Sequence, residues 1–303
     1  MAILAIDPRM GTLQVAVSDG NRYETSTFPL PSIEDTVLEE QLLSWLEALE
    51  IKRGTIQRII APNRHLELSD KLSRVLNAPV RIMDQAHLSG SYACVTGTPW
   101  LERRCLAETF IFTYLVKQES RMRSIALDEG RFIVAHLDER HQLGALCGQE
   151  ALDVLTSLDE GPFALRESGG LPFDRVLDLC MEGNSRDEVL HILQEKGGLA
   201  GYLGLKNLEE LWICKAEGAD LIREALIYQI AKEIGALATV LEGDVDCIIL
   251  SGDLTKYKPF VSALRERIDF IAHVSVHPGN QTLSALLADA QGHVPNARIK
   301  IEE

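Results

Sequence analysis

Three polar sites in the sequence come directly after short apolar segments. They are Asp84, His136 and the run Ser251-Gly252-Asp253. A carboxylate in such a place can hold Mg²⁺, and a histidine can donate a hydrogen bond to a phosphate oxygen. Each also has a structural interpretation, since Asp often caps a turn or helix and a single His at a strand end often serves packing.

The elements that must position these residues follow an α/β pattern. Strand hairpins are predicted to open both halves of the chain, at 2–6 with 13–17 and at 124–127 with 131–135. A helix is predicted over 100–118, and the chain from Pro172 onward is mostly helical. Open α/β sheets bind ligands at the carboxyl ends of their strands, which is where the three polar sites lie.

Composition excludes several function classes. The 303 residues carry a net charge of −15, which argues against nucleic acid as a partner. No apolar run reaches the roughly 18–20 residues of a membrane helix, so no membrane association is expected. The six cysteines are widely spaced and the first residues read as a strand rather than a signal peptide. We therefore expect reduced thiols and a cytoplasmic protein.

Five segments resemble the butyrate kinase branch of the acetokinase family in order and spacing. They are Asp159–Pro172, Lys196–Gly204, Tyr228–Gly235, Asp246–Gly252 and Phe270–Gly279. The N-terminal half matches more loosely, at Ile6-Asp7-Pro8 and Met83-Asp84-Gln85, and is several tens of residues shorter than the family between Asn63 and Arg64.

The resemblance implies a duplicated, two-lobed actin-like ATPase fold of the ribonuclease H-like kind, with mixed central sheets and flanking helices. A shortened first lobe is expected over 1–123 and a nucleotide-side lobe over 124–303, with the last helix a candidate to pack back on the first lobe. Family members use ATP and Mg²⁺ to phosphorylate a short-chain carboxylate, and they are usually homodimers. A nucleotide, a short-chain carboxylate and a second copy of the chain are thus the implied partners.

The resemblance also assigns site residues. The implied catalytic residues are Asp84, which is also the metal candidate, His136 and Arg166. The implied nucleotide-binding residues are Gly197, Gly198, Gly204, Ser251, Gly252 and Asp253. The implied phosphate-loop residues are Asp7, Gly11, Thr12 and Arg140.

Several positions depart from the family pattern where phosphate would be handled. Three family glycines are replaced by Asp138-Glu139-Arg140, which adds two carboxylates and removes close backbone access. The family arginine aligns with Glu167, so that Arg166 is offset by one residue. Acidic family residues before the last helix become Asn280-Gln281-Thr282.

Three hypotheses follow from this pattern. The first is a diverged butyrate kinase-like protein with weakened or lost catalysis, and the second is an active carboxylate kinase with a rearranged site. The third is a non-enzymatic regulatory or scaffold dimer. His141, His273 and His277 have no metal-ligand spacing and are interpreted as surface or strand-end residues.

Overall fold

A computed structural model describes residues 2–9, 11–20, 22–30, 36–88 and 92–290. The strands are β1 (Ala2–Arg9), β2 (Thr12–Ser18), β3 (Tyr23–Pro29), β4 (Ile56–Pro62), β5 (Val80–Met83), β6 (Ala86–His87), β7 (Leu106–Ala107), β8 (Arg131–Leu137), β9 (His141–Cys147), β10 (Glu150–Thr156), β11 (Cys247–Gly252) and β12 (Val274–Pro278). The α-helices are α1 (Thr36–Ala48), α2 (Leu66–Leu76), α3 (Thr109–Arg123), α4 (Phe173–Met181), α5 (Arg186–Glu195), α6 (Gly198–Leu203), α7 (Ala219–Val240), α8 (Lys258–Ile268) and α9 (Thr282–Ala290).

Two five-stranded sheets repeat one topology. Their strand orders are β3-β2-β1-β4-β5 and β10-β9-β8-β11-β12. In each sheet an antiparallel three-stranded meander is extended by two parallel strands. The predicted α/β class with duplicated mixed sheets is therefore confirmed.

Among the described residues, the first compact unit comprises those up to Gln85, together with Glu108–Tyr114 and Gln281–Ala290. Its core lies around β1, which is buried along most of its length because α9 packs on β1, β2 and β4. Helix α2 buries Leu68, Leu72 and Leu76, which recur at the four-residue spacing of one helix face.

Among the described residues, the second compact unit comprises Ala86–Leu88, Tyr92–Ala107 and Leu115–Asn280. Its core is formed by β8, β9 and β11 under α7 and α8. Helix α7 contributes an apolar face that recurs at helical spacing, namely Leu226, Ile230, Ile234, Leu237 and the C-cap residue Leu241. The predicted lobe boundary after residue 123 stays a prediction.

Two predicted elements are wrong. The helix expected over 100–118 begins at Thr109, and in the segment before it Arg103 donates hydrogen bonds to the Ala93 and Val154 carbonyls. The second hairpin pairs β8 with β9 and does not use 124–127. Strand β9 is buried along nearly its whole length, so its sequence lacks the alternation that signals a strand.

Candidate functional site at the carboxyl ends of the parallel strands

The second sheet gathers polar residues at the carboxyl ends of its three parallel strands. Ser251 on β11 is the register neighbour of both His136 on β8 and His277 on β12. His136 Nδ1 lies 2.8 Å from Ser251 Oγ, and both residues are buried. Ser251 therefore fixes the orientation of the His136 ring. A histidine exposed to solvent would have no such partner to hold its ring.

Asp138 lies just beyond β8 and is also buried. One carboxylate oxygen accepts a hydrogen bond from the Glu139 N–H at 2.9 Å, and the other accepts from the Asn280 side-chain amide. The second oxygen also lies 3.8 Å from His136 Nε2. The loop after β8 is thus joined to the residues after β12 by an acid-to-amide contact.

The loop after β11 contains Gly252 and Asp253. Gly252 has φ +94°, and a Cβ there would lie 2.3 Å from the Leu137 carbonyl oxygen. The Asp253 carboxylate lies 2.7 Å from Lys256 Nζ and accepts from the Asn280 N–H at 3.3 Å. Gly252 is therefore required by the approach of β11 to β8, whatever ligand binds nearby.

Arg140 is paired with a buried acid. Its Nε lies 2.6 Å from Glu167 Oε1, and the Ser157 hydroxyl donates to the other Glu167 oxygen. Burial raises the pKa of Glu167, while the positive charge of Arg140 opposes that rise. The charge that Arg140 brings to the loop is consequently balanced by Glu167.

Arg166 does not join this cluster through any contact among the described residues. Its Nη1 lies 4.0 Å from Glu195 Oε2, and its side chain is about one third exposed. The next residue, Glu167, has its carboxylate on the buried side of the segment.

The predicted glycines of the nucleotide side lie at α6. A Cβ on Gly198 would come within 2.2 Å of the Ala164 carbonyl oxygen, and one on Gly197 within 3.0 Å of the Arg166 carbonyl oxygen. Gly204 ends α6 with φ +67° and donates its N–H to the Ala200 carbonyl. All three thus have a local structural role in packing or capping.

The first sheet also has polar residues together at the carboxyl ends of two parallel strands, β1 and β4. Asp7 is buried, and its carboxylate lies 2.7 Å from Arg64 Nη2. Glu108 lies 3.6 Å from the same nitrogen. Arg64 was not among the predicted site residues, and the available signal was its position two residues after a buried strand. Gly11 and Thr12 lie at the β1–β2 turn, where Gly11 has φ +68°.

Asp84 follows β5 and is exposed. The Asn63 amide donates to its Oδ1 at 2.6 Å. Magnesium is commonly bound by one or two carboxylates, with water and substrate phosphates completing its shell, so Asp84 fits as a single protein ligand. Among the described residues, no group of three or more His, Cys, Asp or Glu side chains is arranged to hold a metal.

Two of the histidines lie at strand ends, as one part of the prediction had it, and neither is exposed. His141 is fully buried at the first residue of β9, and burial lowers its pKa to about 4. His277 lies with its Nε2 3.0 Å from the buried Glu119 carboxylate, which also accepts from the Ser275 hydroxyl at 2.8 Å. His273 is exposed just before β12, in agreement with the prediction.

Known proteins similar to this chain were found by sequence and by structure. A probable butyrate kinase 2 of Caldanaerobacter subterraneus subsp. tengcongensis is 32% identical over 199 residues, which are 64% of this chain and 56% of that protein. Over that region the chain is similar in sequence to this probable butyrate kinase. The aligned region spans little more than half of that relative's length, and no model of a known protein family matches the chain.

Solved structures establish the fold of the chain. The acetate kinase of Porphyromonas gingivalis is 14% identical with a TM-score of 0.71, covering 96% of this chain and 99% of that one. The acetate kinase of Entamoeba histolytica is 13% identical with a TM-score of 0.73 over the same shares. A propionate kinase from Francisella tularensis is 14% identical with a TM-score of 0.68, covering 94% of this chain and 98% of that one. The predicted actin-like ATPase fold is confirmed.

Proposed function

We propose that the chain is a butyrate kinase-like protein that binds a nucleotide and a short-chain carboxylate, with weakened or lost phosphoryl transfer. The observation that carries the second part is the buried Asp138 carboxylate at the end of β8. Phosphoryl transfer depends on neutralising negative charge, and a carboxylate in the phosphate loop adds it instead.

The nucleotide part of the proposal rests on two glycine-containing segments of the second compact unit. ATP would lie against the Gly197, Gly198 and Gly204 segment and the Ser251-Gly252-Asp253 loop. Asp84, in the first compact unit, is the proposed Mg²⁺ ligand, and Mg²⁺ supplies neutralisation of phosphate charge when it is bound. His136, fixed by Ser251, would face the transferring group.

An active kinase with a rearranged site is the second candidate. The Arg140–Glu167 pair favours it, because a guanidinium held through its Nε can present its two amino groups to an oxyanion. In that case Asp84, His136, Arg140 and Arg166 would carry turnover, and Asp84→Ala would abolish it.

The deciding experiment combines binding with turnover. Calorimetry with ATP and ADP in the presence of Mg²⁺ is expected to detect nucleotide binding. A hydroxamate assay with butyrate, ATP and Mg²⁺ at high protein concentration is expected to give little or no acyl phosphate. Robust turnover that Asp84→Ala removes would reject weakened catalysis in favour of the second candidate. Absence of nucleotide binding at millimolar concentration would leave the scaffold interpretation instead.

A homodimer is part of the proposal. Helix α4 exposes Phe173, Leu177 and Met181 at four-residue spacing, and none of its residues is buried. Such an apolar face on a surface helix is typical of a protein–protein contact. We propose that a second copy of the chain covers this face of α4, because the resemblance to the butyrate kinase family implies a homodimer.

We also propose a cytoplasmic location. The six cysteines are free, and half of them are buried, as expected of a protein kept in a reducing compartment. Among the helices that the structure describes, none is long and apolar enough to span a bilayer.

A further inference from the structure

We propose that a cavity at the carboxyl-terminal end of α1 binds a free α-amino acid with an apolar side chain. The cavity has a volume of about 480 Å³, and its lining lies wholly within the first compact unit. Small-molecule sites have volumes of roughly 300–1,000 Å³. The inference goes beyond the proposed function, because this cavity contains none of the residues assigned to the nucleotide or the short-chain carboxylate.

Three aliphatic side chains form the apolar part of the cavity. Leu46 is 1% exposed and belongs to the core of the first unit, and Leu43 and Ile51 are half-buried against that core. Leu43 and Leu46 are three positions apart on α1, so they lie on one side of the helix. An aliphatic ligand side chain would remove these groups further from water.

Two acids line the same cavity where α1 ends. Glu47 lies in the last turn of the helix, and Glu50 follows it with φ +61°. The carboxyl-terminal end of a helix carries a partial negative charge, which repels an acid, and the left-handed residue after a helix is usually Gly or Asn. The stability of α1 therefore explains neither acid. Together with the helix end, however, they provide the negative surroundings that an ammonium group needs.

Two cations follow the acids in the sequence and line the cavity as well. They are Lys52 and Arg53, and both are exposed. The Thr55 N–H and the Thr55 hydroxyl both donate to the Lys52 carbonyl, at 2.9 and 2.7 Å, which holds the backbone of this turn. An ammonium and a guanidinium on a fixed turn can donate hydrogen bonds to a ligand carboxylate.

The four charged side chains are available to a ligand. Within the described part of the chain, none of them forms an ion pair. Two acids, two cations and an aliphatic surface match a ligand that has one ammonium, one carboxylate and one apolar side chain. An apolar α-amino acid combines these three groups, whereas a simple amine or a simple carboxylate would leave two of the charged side chains unused.

The first experiment titrates the full, unaltered chain with L-leucine by calorimetry, with butyrate in excess to occupy the proposed carboxylate site. The expected dissociation constant is about 1 mM or lower. Three analogues each lack one group: 3-methylbutylamine lacks the carboxylate, 4-methylpentanoate lacks the ammonium and glycine lacks the side chain. Each should bind at least about tenfold more weakly than leucine. Absence of leucine binding up to about 10 mM, or an analogue that binds as tightly as leucine, would overturn the inference.

The second experiment locates the site by substitution. Glu47→Gln and Arg53→Gln should each weaken leucine binding about tenfold, because each removes a charge-assisted hydrogen bond. Glu40→Gln and Arg58→Gln are the matched controls, since Glu40 on α1 and Arg58 on β4 are exposed and do not line the cavity. Both controls should keep leucine affinity within about twofold. Leucine binding that survives Glu47→Gln and Arg53→Gln would place the ligand elsewhere and reject this site.

The stability of Glu47→Gln separates ligand binding from a structural role. Removal of an acid from the last turn of α1 should leave the urea midpoint unchanged or raise it, because the charge no longer opposes the helix dipole. A lower urea midpoint together with lost leucine binding would make Glu47 a structural residue and contradict the inference.

Discussion

Glycines that match a kinase pattern can be retained for reasons unrelated to the ligand. Gly252 combines φ +94° with a backbone approach that leaves no room for a Cβ beside the Leu137 carbonyl. Gly198 has φ +56° and the same kind of contact with Ala164. Since both are needed to close strands and loops on one another, their presence supports the fold more directly than it supports nucleotide binding.

Gly252→Ala is therefore expected to destabilise the protein by about 2 kcal/mol or more, through backbone strain and the clash with Leu137. Urea unfolding followed by circular dichroism measures the change. Gly235→Ala is the matched control, because Gly235 lies in α7 with no atom within 4 Å of the added Cβ. That variant should be neutral or stabilised by up to about 1 kcal/mol. Equal stability of the two variants would refute the packing argument.

At the scale of elements, the β8–β9 hairpin contains a buried imidazole ring, whose desolvation costs free energy. It buries His141, and neither ring nitrogen makes a hydrogen bond of normal geometry among the described residues. Desolvation dominates and lowers its pKa to about 4, although Asp138 and the backbone of Asp138 and Arg140 favour the protonated form, while His136 opposes it. The ring is consequently neutral in the folded protein and protonates in the unfolded chain below about pH 6.5.

This difference predicts that His141 stabilises the fold fully above about pH 6.5 and progressively less down to about pH 4. Between pH 7 and pH 5 the loss from this group should be about 2 kcal/mol. Urea unfolding of the unaltered protein and of His141→Leu at both values measures it, and the variant should lose correspondingly less. His273→Leu, at an exposed histidine, should keep the full dependence. Parallel pH curves for all three proteins would argue against the buried neutral ring.

At the scale of the whole molecule, the repeated sheet topology gives two similar strand edges, and α4 gives a surface that a second copy can cover. Leu177 lies at the centre of the exposed row between Phe173 and Met181, and Cys180 lies beside it. A charge placed in this row would have to be desolvated when two copies associate.

Leu177→Glu is expected to convert the proposed homodimer to monomer in sedimentation or light-scattering measurements. Leu66→Glu places the same charge at an exposed leucine on α2 and should leave the association unchanged. Alkylation of Cys180 should also slow as the concentration of the unaltered protein rises. A monomer at all concentrations, or a dimer that survives Leu177→Glu, would exclude α4 as the contact.

The sequence by itself determined the amphipathic elements and the family likeness. The chain from Pro172 to Ala290 is mostly helical, as predicted, because α4, α8 and α9 each carry apolar residues at helical spacing within one short segment. The ordered glycine-rich segments likewise pointed to butyrate kinases, and the comparisons with known proteins agree.

Only the tertiary structure decided which polar groups meet. Asp138 and Asn280 are separated by 142 positions, and His136 and Ser251 by 115. Nothing local pairs Arg140 with Glu167 either, since their contact arises where the β8–β9 turn meets the segment after β10. Secondary structure is encoded by nearby side chains, whereas a buried charge obtains its partner from distant strands brought to one sheet edge. At that edge the Asp138 carboxylate accepts hydrogen bonds from Asn280 and from the Glu139 N–H.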